Sequence, residues 1–165
     1  DAQDIEVHID VKFEPGQTPE PAAFAQAILE PWWVTDLDNP MFVSANLVEA
    51  LAAFDDLAEA RDEPLRTSLI WPRFTPDESS TVTGLKHEVL KSLGVESLTG
   101  LARAAGAEGI AVPYQLIDYS GALEARSAGI DVRVWTLNSA DLLQEYCDWP
   151  IGGVITDIPG EAPCG

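Results

Sequence analysis

The alternation of apolar and polar residues near the start of the chain predicts a β-strand. Apolar side chains occupy the odd positions of residues 5–13, and the even positions carry Glu6, His8, Asp10 and Lys12. A period of two places these two sets on opposite faces of a strand. Taken alone, the segment fits an exposed strand of an antiparallel sheet equally well. The rest of the chain favours a parallel sheet, because helical and strand-like segments alternate from this point onward.

Five further strands are predicted from short runs of β-branched and aliphatic residues, centred near Phe42, Arg66, Ile110, Val132 and Val154. Amphipathic segments that predict helices separate most of these runs, over residues 19–30, 47–57, 85–93, 97–105 and 120–127. Short buried strands that alternate with helices are typical of a parallel sheet covered by helices.

Local signals predict where the first two helices end and begin. Pro31 is expected to end the first helix, and Asn46 is expected to cap the second with its side-chain oxygen. We interpret Trp32 and Trp33 as packing residues, because no pattern of polar partners surrounds them. The Pro- and Ser-rich stretch at 72–83 follows the third strand, where loops of parallel α/β proteins commonly carry binding residues.

Length and composition predict one domain over residues 1–165. The chain has 46% apolar and 22% charged residues, which is ordinary for a globular protein. No apolar run approaches the roughly 20 residues that a membrane-spanning helix needs. The chain begins at Asp1 rather than methionine, as expected for a processed product or a piece of a longer protein.

The net charge of −19 limits the classes of partner. The sequence has 28 acidic and 9 basic residues, and such a field repels nucleic acids and anionic membrane surfaces. It attracts metal cations, but an adaptation for solubility or salt is the preferred explanation. Cys147 and Cys164 show no zinc-site spacing, so they fit either a disulfide or two separate thiols. A cytoplasmic and a secreted or periplasmic location both remain open.

Three stretches, in this order, resemble the glycerophosphodiester phosphodiesterase family. The first is I-D-V-K at 9–12, which is similar to that family's strand ending in an acidic residue, an aliphatic residue and lysine. The second is V-R-V-W-T-L-N at 132–138, which resembles the family's V-x-V-W-T-V-N. The third is G-V-I-T-D-I-P at 153–159, which resembles its closing G-I-I-T-D-x-P. The second and third are the more specific.

The resemblance implies an α/β fold of the (β/α)8 TIM-type barrel that is incomplete, with about six of eight strands and the first two missing. A full barrel typically needs roughly 250 residues. The missing strands would carry the family's His-Arg-Gly motif, its Glu-x-Asp metal pair and a further histidine, and neither motif occurs in this sequence. The chain is therefore expected to be a fragment, one part of a divided barrel, or a degenerate member.

The resemblance also implies roles for particular residues. Asp10 takes the place of the family's third metal-binding carboxylate, usually Glu, and is expected to bind a divalent ion, Mg²⁺ or Ca²⁺. Lys12 corresponds to the lysine near the substrate phosphate, with a catalytic and a substrate-binding role. Trp135 corresponds to the aromatic residue on the glycerol side of the pocket. Ala45 replaces a usual Phe, which is expected to remove an aromatic wall, and Asp157 is interpreted as structural.

The residue chemistry is compatible with these roles. Asp10 and Lys12 share one face of a strand, roughly 6–7 Å apart along it. A hard divalent cation prefers oxygen ligands, and an ammonium group binds phosphate. Without the resemblance, the same pair is better explained as a buried structural ion pair. His8 lies on the same face, either as a residue that orients a metal ligand or as an interior histidine with its own hydrogen bonds.

The predicted function is metal-dependent hydrolysis of small-molecule glycerophosphodiesters to glycerol 3-phosphate and an alcohol. This chain would supply the later strands and be inactive alone, because the family's acid–base histidines are absent, and the missing amino-terminal part is a predicted partner. One alternative is a non-catalytic binding or scaffold module that keeps a polyol or phosphate pocket around Lys12 and Trp135. Another is an unrelated (β/α) enzyme with similar closing strands.

Overall fold

The structure is a computed structural model, which describes residues 7–13, 20–34, 41–71 and 98–163. The strands in these ranges are β1 (Val7–Val11), β2 (Met41–Ala45), β3 (Arg66–Ile70), β4 (Gly109–Pro113), β5 (Asp131–Trp135) and β6 (Gly153–Val154). The helices in these ranges are α1 (Pro21–Val34), α2 (Val48–Glu59), α3 (Leu98–Ala104), α4 (Tyr119–Ser127) and α5 (Ala140–Cys147). The predicted loop at 72–83 and helix at 85–93 lie outside the described residues.

All six strands are parallel and pair in chain order, from β1 to β6. Crossovers between parallel neighbours are almost always right-handed, so a sheet with sequential order carries all its helices on one face. A doubly wound sheet reverses its strand order and carries helices on both faces. The predicted incomplete (β/α) barrel is therefore confirmed. The antiparallel interpretation of the first strand is wrong, since β1 pairs in parallel with β2.

The hydrophobic core lies between the sheet and the helices. Every strand from β1 to β5 contributes alternate residues to it, among them Val11, Val43, Leu69, Ile110 and Val134. Residues at the intervening positions, including His8, Asp10, Phe42, Ser68 and Arg133, point to the opposite side, which we call the inner face. Helices thus bury one side of the sheet, and the inner face is left to carry polar groups.

Helix α1 continues through Pro31, so the predicted end of this helix is wrong. Proline removes one backbone donor, but only three residues of α1 follow it, so few hydrogen bonds are affected. Trp32 and Trp33 lie in this last turn and pack against the core. The guanidinium of Arg61 also lies 4.3 Å from the centre of the Trp33 ring. These contacts confirm the packing role of the tryptophan pair and favour the extra helical turn.

The described residues also bear on the state of the cysteines and on membrane-spanning helices. Cys147 is disulfide-bonded, which excludes a free thiol at this position. The other cysteine of the sequence, Cys164, lies outside the described residues. Among the described residues, no helix has both the length and the apolar character required to cross a membrane.

Two carboxylates in helical segments have pKa values shifted in opposite directions. Burial raises the pKa of Asp55 in α2 above its ordinary value, and this exceeds the lowering effect of the hydrogen bond from Thr67 Oγ1. The pKa of Asp118 is lowered, chiefly because it accepts a hydrogen bond of 2.8 Å from the backbone N–H of Gly121 at the start of α4. Protonated Asp55 therefore stabilises the folded state relative to its ionised form, whereas Asp118 stabilises the folded state when it is ionised.

We expect Asp55→Asn to unfold at higher urea concentration than the native chain at pH 7. The contribution of Asp55 to stability is fully present below its ordinary pKa of 3.8 and is lost as the pH rises through the raised value. The gain should therefore disappear near pH 3. Asp118→Asn, which keeps a capping oxygen, is the matched control and should be less stable than the native chain at pH 7. Equal and same-signed effects of the two substitutions would contradict this assignment.

Candidate functional site at the carboxyl ends of the strands

The predicted site residues Lys12 and Trp135 lie where the parallel strands end, together with three further polar residues. Lys12 follows β1, Asn46 follows β2, Trp135 ends β5, and Asn138 and Asp157 follow β5 and β6. We call these five residues the carboxyl rim. Because the strands are all parallel, their carboxyl ends meet at one edge of the sheet, where sites of (β/α) proteins are formed.

Asp10 and Lys12 form a direct ion pair, with 2.5 Å between Lys12 Nζ and Asp10 Oδ2. The Lys12 side chain is 66% exposed and that of Asp10 is 43% exposed. The alternative of a buried structural ion pair is therefore wrong for this structure, because both groups face open space. An exposed ammonium held beside a carboxylate remains accessible to an anionic ligand.

Asn46 fixes the backbone that follows Lys12. Its Oδ1 accepts a hydrogen bond of 2.9 Å from Phe13 N–H, and its Nδ2 donates one of 3.2 Å to Phe13 O. The predicted cap is wrong, since Leu47 occupies the N-cap of α2 without a side-chain hydrogen bond. A primary amide matches a backbone N–H and C=O pair, and this paired contact replaces the single bond of a cap. Asn46 thereby ties the end of β1 to the end of β2.

His8 and Ser44 form a polar contact on the inner face below Asp10. His8 Nε2 and Ser44 Oγ are 2.8 Å apart, and Ser44 is the register partner of Asp10 on β2. The His8 ring also meets Phe42 edge-on at 4.9 Å. These contacts support the interpretation of His8 as an interior histidine with its own hydrogen bonds.

Asn138 joins the ends of β5 and β6. Its Nδ2 donates a hydrogen bond of 2.6 Å to Asp157 Oδ2, and its Oδ1 accepts one of 2.9 Å from Asp157 N–H. Asp157 therefore holds the two strand ends together, in agreement with its predicted structural role. Trp135 lies half-buried at the end of β5, on the inner side of the strand, because Val132 and Val134 take the buried helix-facing positions.

Lys12 and Trp135 lie on opposite sides of the rim. Three strands separate β1 from β5 in the sheet. In a closed barrel of eight strands, β5 is four steps from β1 in either direction, which places the two directly across the mouth. The structure therefore does not bring Lys12 and Trp135 into contact, and a ligand that touches both has to span the mouth.

The described residues supply one carboxylate suited to a divalent cation near Lys12. Asp10 offers oxygen ligands, as Mg²⁺ and Ca²⁺ require, but these ions take six or more ligands. No group of three or more potential ligands from His, Cys, Asp and Glu occurs within residues 7–13, 20–34, 41–71 and 98–163. The donor set present here is thus insufficient for a complete metal site.

Ala45 does not line the rim. It is fully buried and belongs to the core between the sheet and the helices. The expectation that its small side chain removes an aromatic wall of the pocket is therefore wrong for this structure, because a side chain at this position enters the core.

Sequence reasoning missed the rim role of Asn46 and the pairing of Asn138 with Asp157. Asn46 comes one residue after β2, and Asn138 comes three residues after β5. This position just after a strand is the sequence signal that could have indicated their roles. Their partners, Phe13 and Asp157, are 33 and 19 residues away along the chain, so no local pattern reports the pairing.

No protein-family model matches this sequence, and no curated protein matches it. Solved structures with a similar fold do exist. One is a glycerophosphodiester phosphodiesterase from Parabacteroides distasonis, with a TM-score of 0.64 and 16% identity, and the match covers 94% of this chain and 54% of that chain. Another is an Oleispira antarctica phosphodiesterase in complex with the product sn-glycerol-3-phosphate, with a TM-score of 0.54, 17% identity and coverage of 86% and 47%.

The chain thus spans about half the length of the solved proteins that it matches. At such low identity the likeness concerns the fold, and it agrees with six consecutive strands of an incomplete barrel. The family resemblance that the three sequence motifs predict is confirmed at this level: the chain has part of the fold of the glycerophosphodiester phosphodiesterases.

Proposed function

We propose that this chain forms the later strands of a metal-dependent glycerophosphodiester phosphodiesterase, which hydrolyses glycerophosphodiesters to glycerol 3-phosphate and an alcohol. Lys12 binds the phosphate and stabilises the negative charge that develops on its oxygens. Trp135, across the mouth, contacts the glycerol part. The observation that carries this proposal is an exposed ammonium opposite a half-buried indole on the rim of this fold.

The proposal assigns the metal to a site completed by residues that this chain does not supply. Asp10 would contribute one carboxylate, and a bound divalent cation would neutralise phosphoryl oxygens. The remaining ligands and the acid–base histidines would come from two strands that fill the gap between β6 and β1. This chain alone therefore contributes substrate binding and charge stabilisation.

A non-catalytic binding module is the second candidate. It is favoured by the absence of a group of three potential metal ligands among the described residues. The two functions differ in what is encoded upstream of Asp1. His-Arg-Gly and Glu-x-Asp motifs at suitable spacing there would support the hydrolase, and a native product that starts at Asp1 would support the binding module.

We expect the purified 165-residue chain to release no glycerol 3-phosphate from glycerophosphocholine with either Mg²⁺ or Ca²⁺, because it lacks the acid–base pair. A coupled assay for glycerol 3-phosphate measures this, with a complete glycerophosphodiester phosphodiesterase as the positive control. Robust metal-stimulated turnover would contradict the assignment of acid–base chemistry to missing strands.

We expect Lys12→Gln to weaken the binding of glycerol 3-phosphate by about tenfold or more, as the loss of a hydrogen bond to a charged group predicts. Isothermal titration calorimetry of the native and variant chains measures the change. Arg103→Gln removes the same charge from an exposed position of α3 and should leave the affinity unchanged. Equal effects of the two substitutions would show that the ligand responds to net charge alone.

We expect Asn46→Ala to weaken the same binding in the native chain but not in the Lys12→Gln background. Asn46 holds the backbone next to Lys12, so its effect on ligand binding should depend on the presence of the lysine. A double-mutant cycle measures this dependence. An undiminished effect of Asn46→Ala in the Lys12→Gln background would assign Asn46 a general structural role instead.

A further inference from the structure

A cavity opens at the end of the sheet opposite the carboxyl rim, where β3, β5 and β6 begin. It has a volume of about 520 Å³, and its polar lining includes Arg66, Arg126, Asp131 and Arg133. We call it the amino-end cavity. Its volume lies within the range of small-molecule sites. Since the carboxyl rim is formed by the opposite ends of the same strands, the two sites are separate.

The charge of this cavity is opposite to that of the protein. The chain carries −19 overall and has nine basic residues, yet three arginines and one carboxylate occur among the described residues that line this cavity. A local positive region in a strongly negative field concentrates anions at that place. An adaptation for solubility does not explain why these arginines are grouped in one cavity.

Asp131 orients two of the three arginines. Its Oδ2 accepts a hydrogen bond of 3.0 Å from Arg66 Nη2 and one of 3.4 Å from Arg133 Nη2. Glycine at position 152 is required for this arrangement, because a Cβ there would lie 1.4 Å from Asp131 Oδ1. The carboxylate is consequently held against the backbone of the loop before β6, and both guanidinium groups converge on the same wall.

Phe42 supports these guanidinium groups from the inner face. The Arg133 guanidinium carbon lies 3.8 Å from the centre of the Phe42 ring, and that of Arg66 lies 5.2 Å from it. The Arg133 side chain is only 13% exposed. Stacking on an aromatic ring fixes a planar guanidinium before any ligand arrives, which reduces the entropy lost on binding.

Arg126 lies in the last turn of α4 and also lines the cavity, where it supplies positive charge. Glu108 lies 3.6 Å from Arg66 Nε, so the carboxylates of Glu108 and Asp131 pair with Arg66, and Asp131 also pairs with Arg133. Arg126 has no ion pair with any residue in the described part of the chain. It is therefore the arginine whose charge is available to a ligand.

The other described residues of the lining are apolar or glycine. Ile130, Pro150 and Ile151 form an apolar wall, and Gly129 and Gly152 leave the backbone accessible. An inorganic anion occupies only a small part of 520 Å³. A ligand that contacts both the arginines and this apolar wall combines an anionic group with a compact apolar group.

We propose that the amino-end cavity binds a small organic phosphate monoester. Its phosphate lies between Arg126 and Arg133, because guanidinium groups donate paired hydrogen bonds to phosphate oxygens. Its organic part contacts Ile151 and Pro150. This proposal is independent of the catalytic function proposed above, since it uses none of the rim residues.

The test is a titration of the ¹⁵N-labelled 165-residue chain with phenyl phosphate, inorganic phosphate and phenol, followed by NMR. We expect the amide resonances of Gly129 and Gly152 to shift with phenyl phosphate, less with inorganic phosphate, and not with phenol. The Asn138 resonance reports binding at the carboxyl rim separately. Raising the salt concentration should weaken the response at the glycines, because the cavity is open to solvent.

Arg126→Gln should lower the affinity for phenyl phosphate at the two glycines by about tenfold, as expected for a lost hydrogen bond to a charged group. Arg61→Gln, which removes an arginine stacked on Trp33 outside the cavity, is the matched control and should not change this affinity. Should Arg126→Gln fail to fold, Arg126→Lys keeps the charge without the paired donors and should give an intermediate loss. Equal shifts with phenol and phenyl phosphate, shifts confined to Asn138, or equal effects of the Arg126 and Arg61 substitutions would overturn the proposal.

Discussion

The hydrogen-bonded pairing of parallel strands in chain order is the constraint on which the rest of the structure depends. It sends each connecting helix to the same side of the sheet, so one face is buried in a common core and the inner face is not. It also gathers the carboxyl ends of all strands at one end of the sheet and their amino ends at the opposite end. The polar residues that follow the strands thus become neighbours in space although they are distant in sequence.

Periodicity was sufficient to predict the sheet, because each strand has a helix-facing set of apolar residues that local spacing reveals. The positions of Asp10, Lys12 and Trp135 at the carboxyl edge followed from the same alternation. Local spacing failed where a long-range contact decided the outcome. Asn46 has the sequence position of a helix cap, but the backbone of Phe13, brought close by strand pairing, offers it two hydrogen bonds instead of one.

The arginines at the amino ends of the strands show a second limit of sequence reasoning. Arg66 and Arg133 lie in β3 and β5, far apart along the chain, and each has the local pattern of an ordinary polar position in a strand. Their common role depends on Asp131, on the ring of Phe42, and on a glycine that leaves room for the carboxylate. Such a cluster is defined by the pairing of distant strands and has no signature in any single segment.

The unequal lengths of the first and last strands have a consequence for association. Strand β6 has two residues, whereas β1 has five, and both form an edge of the described sheet. Edge strands present unpaired N–H and C=O groups that attract other strands, and short edges reduce this attraction. Growth of the sheet by an added strand is therefore favoured at β1 over β6.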